Sequence, residues 1–243
     1  FIGGGAEVVA QEAGRLYVTN DGGGRIDVID AATGTALVPI DVSTLDGFDG
    51  IQSVDVAGGI VAVAVKRAPA EQRLLGDTFD ISQPGFVAFY DAAAGTLLST
   101  VDVGNLPDDV TFSPDGSILM VAGEGEFNDD SDNDDDPLVV VSIVTVGDGT
   151  APTVQTADFI KFAGLEEELR EAGARIKASA SAPFDFEPEY VAIAPAGATA
   201  YVTLQENNAV AVIDVATATV TDIIGLGTRD FATPGNGLDP LDD

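Results

Sequence analysis

Residues 15–30 read RLYVTN DGGG RIDVID, and residues 199–214 read TAYVTL QENN AVAVID. In both, an apolar run of strand length meets a four-residue polar or glycine-rich turn, then a second run that closes on Asp. Val, Ile and Tyr in short runs divided by Gly, Asn and Asp mark paired β-strands. Each pair gains a strand on either side. Upstream of the first stand AEVVA and the turn QEAG; downstream stand AATGT and ALVPIDV. Upstream of the second stand EYVAI and APAGA; downstream stand VATAT and VTDIIGL.

The same order of four strands occurs twice more between these copies. One reads QSVDV, AGG, IVAVAV, a long insert, GFVAFYD, AAAGT, LLSTVDV. The other reads DDVTF, SPDG, SILMVAG, an acidic insert, LVVVSIV, and a fourth strand near TVQTADF. Repetition of one four-stranded unit specifies an all-β chain, and a β-propeller before a sandwich. The expected blades cover about 6–44, 51–103, 107–158 and 188–225, with first strands beginning near Glu7, Ser53, Asp109 and Glu189. Four antiparallel blades form one propeller domain, or part of a larger propeller with further blades outside this chain. Asp30, Asp91 and Asp214 each end a third strand before a small-residue turn. An Asp there accepts backbone NH groups of the turn, a structural task.

One insert is helical in pattern. Over 162–176, Phe162, Leu165, Leu169 and Ala172 recur at helical spacing, with Glu166–Arg170 and Glu171–Arg175 as i, i+4 pairs. The expectation is one short helix packed on the outside of the blades.

Composition narrows the chemistry. The chain has 41 acidic and 10 basic residues, a net charge of −31, and only three lysines, Lys66, Lys161 and Lys177. Such a surface repels nucleic acid and anionic lipid, which need Lys and Arg against phosphate. It suits salty or marine surroundings, and equally an acidic secreted protein. Cys and His are absent. That removes disulfides, His-dependent triads, and zinc sites built on His or Cys. No apolar run is long enough for a membrane span. No constellation of catalytic residues emerges.

What remains is oxygen chemistry in loops. Loops entering a blade's first strand and loops joining its second and third strands share one end of a propeller. Asp108, Asp109, Glu187, Glu189, Asn20, Asp21, Glu124, Glu126, Glu206, Asn207 and Asn208 fall there. Carboxylates with no nitrogen or sulfur ligand suit hard ions, Ca²⁺ before Mg²⁺. The densest stretch, GEGEFNDDSDNDDDP, has eight acidic residues between Glu124 and Asp136. Asp130, Asp132 and Asp134 alternate as in the first half of a Ca²⁺ loop. It is no EF-hand, since Asp135 and Val141 stand where Gly and Glu belong. The metal candidates are Asp129, Asp130, Asp132 and Asp134 first, then Glu124, Glu126, Glu189 and Glu206. Solvated acidic loops are the competing reading.

The runs RLYVTNDGGGRIDVID and TAYVTLQENNAVAVIDVATATV resemble YVTN-type surface β-propellers. With LPDDVTFSPDGSILMVAGEGEFNDD, EPEYVAIAP and GNGLD, the chain resembles the choice-of-anchor I family, which is related to mesenchyme-specific cell-surface glycoproteins. The resemblance implies a secreted or surface-anchored propeller, usually of more than four blades, with an alkaline-phosphatase label on some members. The expected function is an extracellular or cell-surface binding or adhesion module that takes up Ca²⁺, its partner a glycan, matrix or surface protein. The alternative is a metal-dependent phosphoester hydrolase, for which Arg25 is the nearest phosphate-binding group.

The charge also sets an expectation for stability. Screening shortens to roughly 3 Å at 1 M salt and removes most self-repulsion between exposed carboxylates. Thermal melts in dilute buffer and in molar NaCl are expected to show a higher Tm in salt; an unchanged or lower Tm would refute it.

Overall fold

Among the described residues, sixteen strands form four separate sheets of four, each antiparallel and in chain order. The computed structural model describes residues 5–68, 83–125, 138–178, 180–229 and 233. The first sheet is β1 (Val9–Glu12), β2 (Arg15–Asn20), β3 (Arg25–Asp30) and β4 (Ile40–Asp41). The second is β5 (Phe48–Ala57), β6 (Ile60–Arg67), β7 (Pro84–Asp91) and β8 (Leu97–Asn105). The third is β9 (Pro107–Phe112), β10 (Ile118–Gly123), β11 (Val140–Thr145) and β12 (Thr153–Asp158). The fourth is β13 (Pro188–Ile193), β14 (Thr199–Leu204), β15 (Ala209–Asp214) and β16 (Thr219–Gly225). These are the four blades of a β-propeller.

Two strands depart from the sequence pattern. The run ALVPIDV gives only a single bridge, Ile29 to Ala36, before the two-residue β4, because Pro39 has no NH to donate. Strand β5 begins at Phe48, five residues before Ser53, and stays paired with β6 through two register shifts.

The apolar core is divided between the blades. One cluster lies between the first and second sheets, with Tyr17, Ile26, Ile51 and Val63. A second joins the second and third sheets through Phe89, Val110 and Leu119. A third joins the third and fourth sheets through Met120, Ile143, Val202 and Ile213. Among the described residues, no cluster joins the fourth sheet back to the first. The strands record this arrangement. Val61–Val65, Phe86–Tyr90, Leu119–Ala122 and Val141–Val144 are buried at every position, as strands covered on both faces must be. In β14, Ala200, Val202 and Leu204 are buried while Tyr201 and Thr203 face solvent.

The insert between the third and fourth blades is more broken than its sequence period suggests. A 3₁₀ turn (Ile160–Phe162) precedes α1 (Glu166–Glu171) and α2 (Ala182–Asp185). Phe186 packs against Phe159 in a tilted contact and Phe162 edge-on, with ring centroids 5.2 and 6.4 Å apart, and all three join the core of the last two blades. Helix α1 ends at Glu171, before Gly173 with its φ of 98°. Arg175 lies beyond that end, and neither i, i+4 pair forms; Arg170 pairs instead with Glu167 at 3.4 Å. Glu166 accepts from the NH groups of Gly164 and Ala182, and Arg170 donates to the carbonyls of Ile176 and Lys177. The chain bends there to lie on β16 at Gly225. A Cβ at that glycine would stand 2.6 Å from the nitrogen of Ala174.

Along the axis, carboxylates join one blade to the next. Asp21 accepts the NH of Ile51 at 2.8 Å, Asp55 that of Phe112 at 2.7 Å, and Asp109 that of Val191 at 3.0 Å. Glu12 takes the NH groups of Gly58 and Gly59 with both oxygens. Asp109 is buried and also accepts from Ser53 and Thr111, so one side chain spans three blades. Hydrogen bonds to a charged acceptor contribute about 1.5–3 kcal/mol, and Asp109→Ala would leave the Val191 NH without its acceptor. Urea denaturation is expected to show a loss of about 2–3 kcal/mol for Asp109→Ala. The exposed turn residue Asp30, changed to Ala, should lose less; equal losses would show that the joint carries no special weight.

Candidate functional site

Antiparallel order puts the two kinds of loop at opposite ends of the blades. At one end, Asp residues close turns. Asp30 accepts from Thr33 and Ala32, Asp91 from Ala93 and Ala94, and Asp214 from Thr217, which is the role their sequence positions implied. Bonds from Thr33 and Thr217 lower the carboxyls of Asp30 and Asp214 below their ordinary range. Asp115, bonded by Ser113 and Ser117, is pulled down to about 2.

At the other end Asp108 and Glu189 are pushed the opposite way. The inner strands β1, β5, β9 and β13 pack in sequence, and carboxylates at this end lie within electrostatic reach of one another. Asp108 is raised by burial first, then by the charges of Asp109 and Glu7. Glu189 is raised by burial first, then by Asp108 and Glu206. Glu7, Asp108, Glu189 and Glu206 thus form an acidic mouth contributed by the first, third and fourth blades. Burial also raises Asp109 and Asp55 behind it, against the NH groups they accept from.

Several polar residues expected at this end are spent on structure. Asn20 caps the turn at Gly23 and donates to Asp27. Asp21 and Asp109 are the joints already described. Asn208 donates to the carbonyls of Gly173 and Gly227. Asn207 is buried, accepts from the NH of Glu187, and donates to the carbonyls of Arg175 and Asp185. Arg25 donates to Asp27 at 2.6 Å, so its charge is engaged within its own blade.

Glu124 and Glu206 come together at a polar cleft of about 270 Å³ between the insert and the fourth blade. The cleft also presents Arg175, Lys177, Asp185 and Glu187. Asp185 was not foreseen, because it lies in the insert, where no repeat aligns it with anything. Burial raises its carboxyl, against the NH of Lys177 and the charges of Lys177, Arg170 and Arg175. Glu189 stands at the mouth and not among the residues lining the cleft.

Asp129, Asp130, Asp132, Asp134 and Glu126 lie outside the described residues. Among the described residues, no three acidic groups are placed to hold a metal ion. No described helix is long and apolar enough to cross a membrane.

The family model described as a choice-of-anchor I domain matches residues 7–243. No curated protein matches the chain. Solved structures match its fold at low identity. The β-propeller domain of Myceliophteria thermophila Cps50 (Swd1) is 11% identical with a TM-score of 0.57, over 93% of this chain and 57% of that one. A chain in the complex of KlAtg21 with the coiled-coil of AgAtg16 is 11% identical, TM-score 0.56, over 90% and 55%. A functionally unknown protein from Desulfotomaculum acetoxidans DSM 771 is 12% identical, TM-score 0.54, over 87% and 53%. The chain spans just over half the length of these structures.

The two acidic populations give stability a definite pH dependence. Asp55, Asp108, Asp109, Asp185 and Glu189 are raised in the folded chain. Their protonated forms favour folding, and that contribution is lost as pH rises through their folded values. Asp30, Asp115, Asp148 and Asp214 are lowered. Their contribution is present above the ordinary carboxylate range and lost as pH falls through their folded values. Tm is therefore expected to rise from neutral pH to about pH 5, then fall below about pH 4. The double variant Asp108→Asn, Glu189→Gln should flatten the rise. A Tm that is highest at neutral pH would contradict the mouth's electrostatics.

Proposed function

Because this chain belongs to the choice-of-anchor I domain family, we propose that it is an extracellular or cell-surface propeller that acts by binding, with Ca²⁺ at its acidic end. The observation that carries this reading is the mouth itself. Glu7, Asp108, Glu189 and Glu206 come from three blades, and burial and mutual repulsion disfavour the charge of Asp108 and Glu189. Like charges about 4 Å apart repel by roughly 1–4 kcal/mol, and a divalent cation reverses the sign of that interaction. The donors are oxygens throughout, and His and Cys are missing from the chain, which favours a hard ion and Ca²⁺ above all.

Asp129, Asp130, Asp132 and Asp134 are proposed as the first ligands. Glu124, Glu126, Glu189 and Glu206 are proposed as a second set. A cation there would neutralise the mouth and present a surface to a glycan, matrix or surface protein. The hydrolase alternative gains nothing from the geometry, since Arg25 is already paired with Asp27.

Calorimetric titration of the intact chain with Ca²⁺ tests the proposal. Binding in the range of about 0.1–1 mM, usual for extracellular calcium modules, is expected. It should weaken in a variant carrying Asp130→Asn, Asp132→Asn and Asp134→Asn, and in Asp108→Asn, Glu189→Gln. Absence of heat at millimolar Ca²⁺ would end the calcium reading.

A further inference from the structure

The cleft between the insert and the fourth blade holds a carboxylate with an unmet demand. Asp185 is 2% exposed. Its Oδ2 accepts from the NH of Lys177 at 3.1 Å and from the amide of Asn207 at 3.2 Å. Its Oδ1 is buried and has no hydrogen-bond partner, and Asp185 lines the cleft. A buried carboxylate oxygen without a donor is costly, so such a group calls for an explanation beyond packing.

The surroundings specify what would satisfy it. The lining carries four carboxylates, of Glu124, Asp185, Glu187 and Glu206, against two cations, Arg175 and Lys177. The unpartnered atom is a carboxylate oxygen, which only accepts, so the missing group is a donor, and a charged donor before a neutral one. A divalent metal needs several oxygens gathered around one point, and no such group of three occurs among the described residues. An ammonium group needs only one or two acceptors and brings N–H donors of its own. The basic side of the same cleft calls for the opposite charge. Arg175 is 72% exposed and reaches Glu206 only at 3.8 Å, a loose pair that leaves its planar donors open to an incoming carboxylate. The volume of about 270 Å³ lies below the roughly 300–1,000 Å³ of pockets for drug-sized ligands, so the ligand is small.

We infer that this cleft is a binding site for a small zwitterion of the α-amino-acid type, its ammonium group on Asp185 and its carboxylate on Arg175. The site is distinct from the calcium reading of the mouth in Asp185 and Arg175, although Glu124 and Glu206 border both. Asn207 is its organiser. By holding the carbonyls of Arg175 and Asp185 and the NH of Glu187, it fixes two stretches of the insert against the fourth blade.

The test is calorimetry and thermal shift of the intact chain with the standard L-amino acids at millimolar concentration, in calcium-free buffer. For any that bind, the N-acetylated and C-amidated forms follow. At least one free amino acid is expected to bind, with either blocked form weaker by about tenfold or more, the loss of a charge-assisted contact. Asp185→Asn keeps an oxygen for Lys177 and Asn207 and replaces the unpartnered one by NH₂. It should leave the fold intact, as circular dichroism reads it, and abolish binding. Arg175→Ala, at an exposed side chain, should weaken binding of the free amino acid and leave that of the amide unchanged. Failure of every amino acid to bind would overturn the inference, as would equal binding of the blocked forms or binding indifferent to both substitutions. Calcium titration of the same two variants reads the mouth independently, so loss of one result leaves the other standing.

Discussion

The innermost strand of each following blade hangs on a carboxylate from the blade before it. Asp21 holds Ile51, Asp55 holds Phe112, and Asp109 holds Val191, in each case through a backbone NH. A strand at the axis has a sheet partner on one side only, so its other NH groups need acceptors from elsewhere. Neighbouring blades meet there face to face, and a short side chain with two acceptor oxygens suits the gap. The cost is burial of charge, visible in the raised carboxyls of Asp55 and Asp109. Apolar packing between the sheets offsets that cost, and the carboxylate fixes which NH meets which neighbour.

The acidity of the chain then divides by task. Asp30, Asp115 and Asp214, which close turns at one end, are held below their ordinary range by the donors around them. Asp55 and Asp109 at the joints, and Asp108 and Glu189 at the mouth, are pushed above it. A net charge of −31 therefore describes more than a solvated surface. Part of it is built into the blades, and part is concentrated where three blades open.

The blades were legible because strand and turn signals are local. Val, Ile and Ala runs, the Asp that ends three of the four third strands, and the glycine turns all act within a few residues. The difference between VAVAV in β6, buried throughout, and TAYVTL in β14, with Tyr201 turned outward, is also written in the sequence once the blade order is known. The joints were not legible. Asp109 reads as one more loop carboxylate beside Asp108, and only the arrival of Val191 from 82 residues further on makes it a bridge. The insert misled for a similar reason. Its helical period is real over α1, but contact with β16 at Gly225 bends the chain before the period can continue. Asp185 and Asn207 owe their significance to that same contact, and nothing in a single sequence announces it.

Three separate apolar clusters serve four blades, and this has a consequence for how the molecule loses its structure. Among the described residues the apolar contacts of each blade are with its neighbours, which makes these four units a nearest-neighbour array. Stability in such an array is local: amide protons of β6, β7, β10 and β11, in strands buried on both faces, are expected to exchange most slowly. The cleft and its insert lie against the fourth unit. A ligand there would act as a strap across the joint between insert and blade.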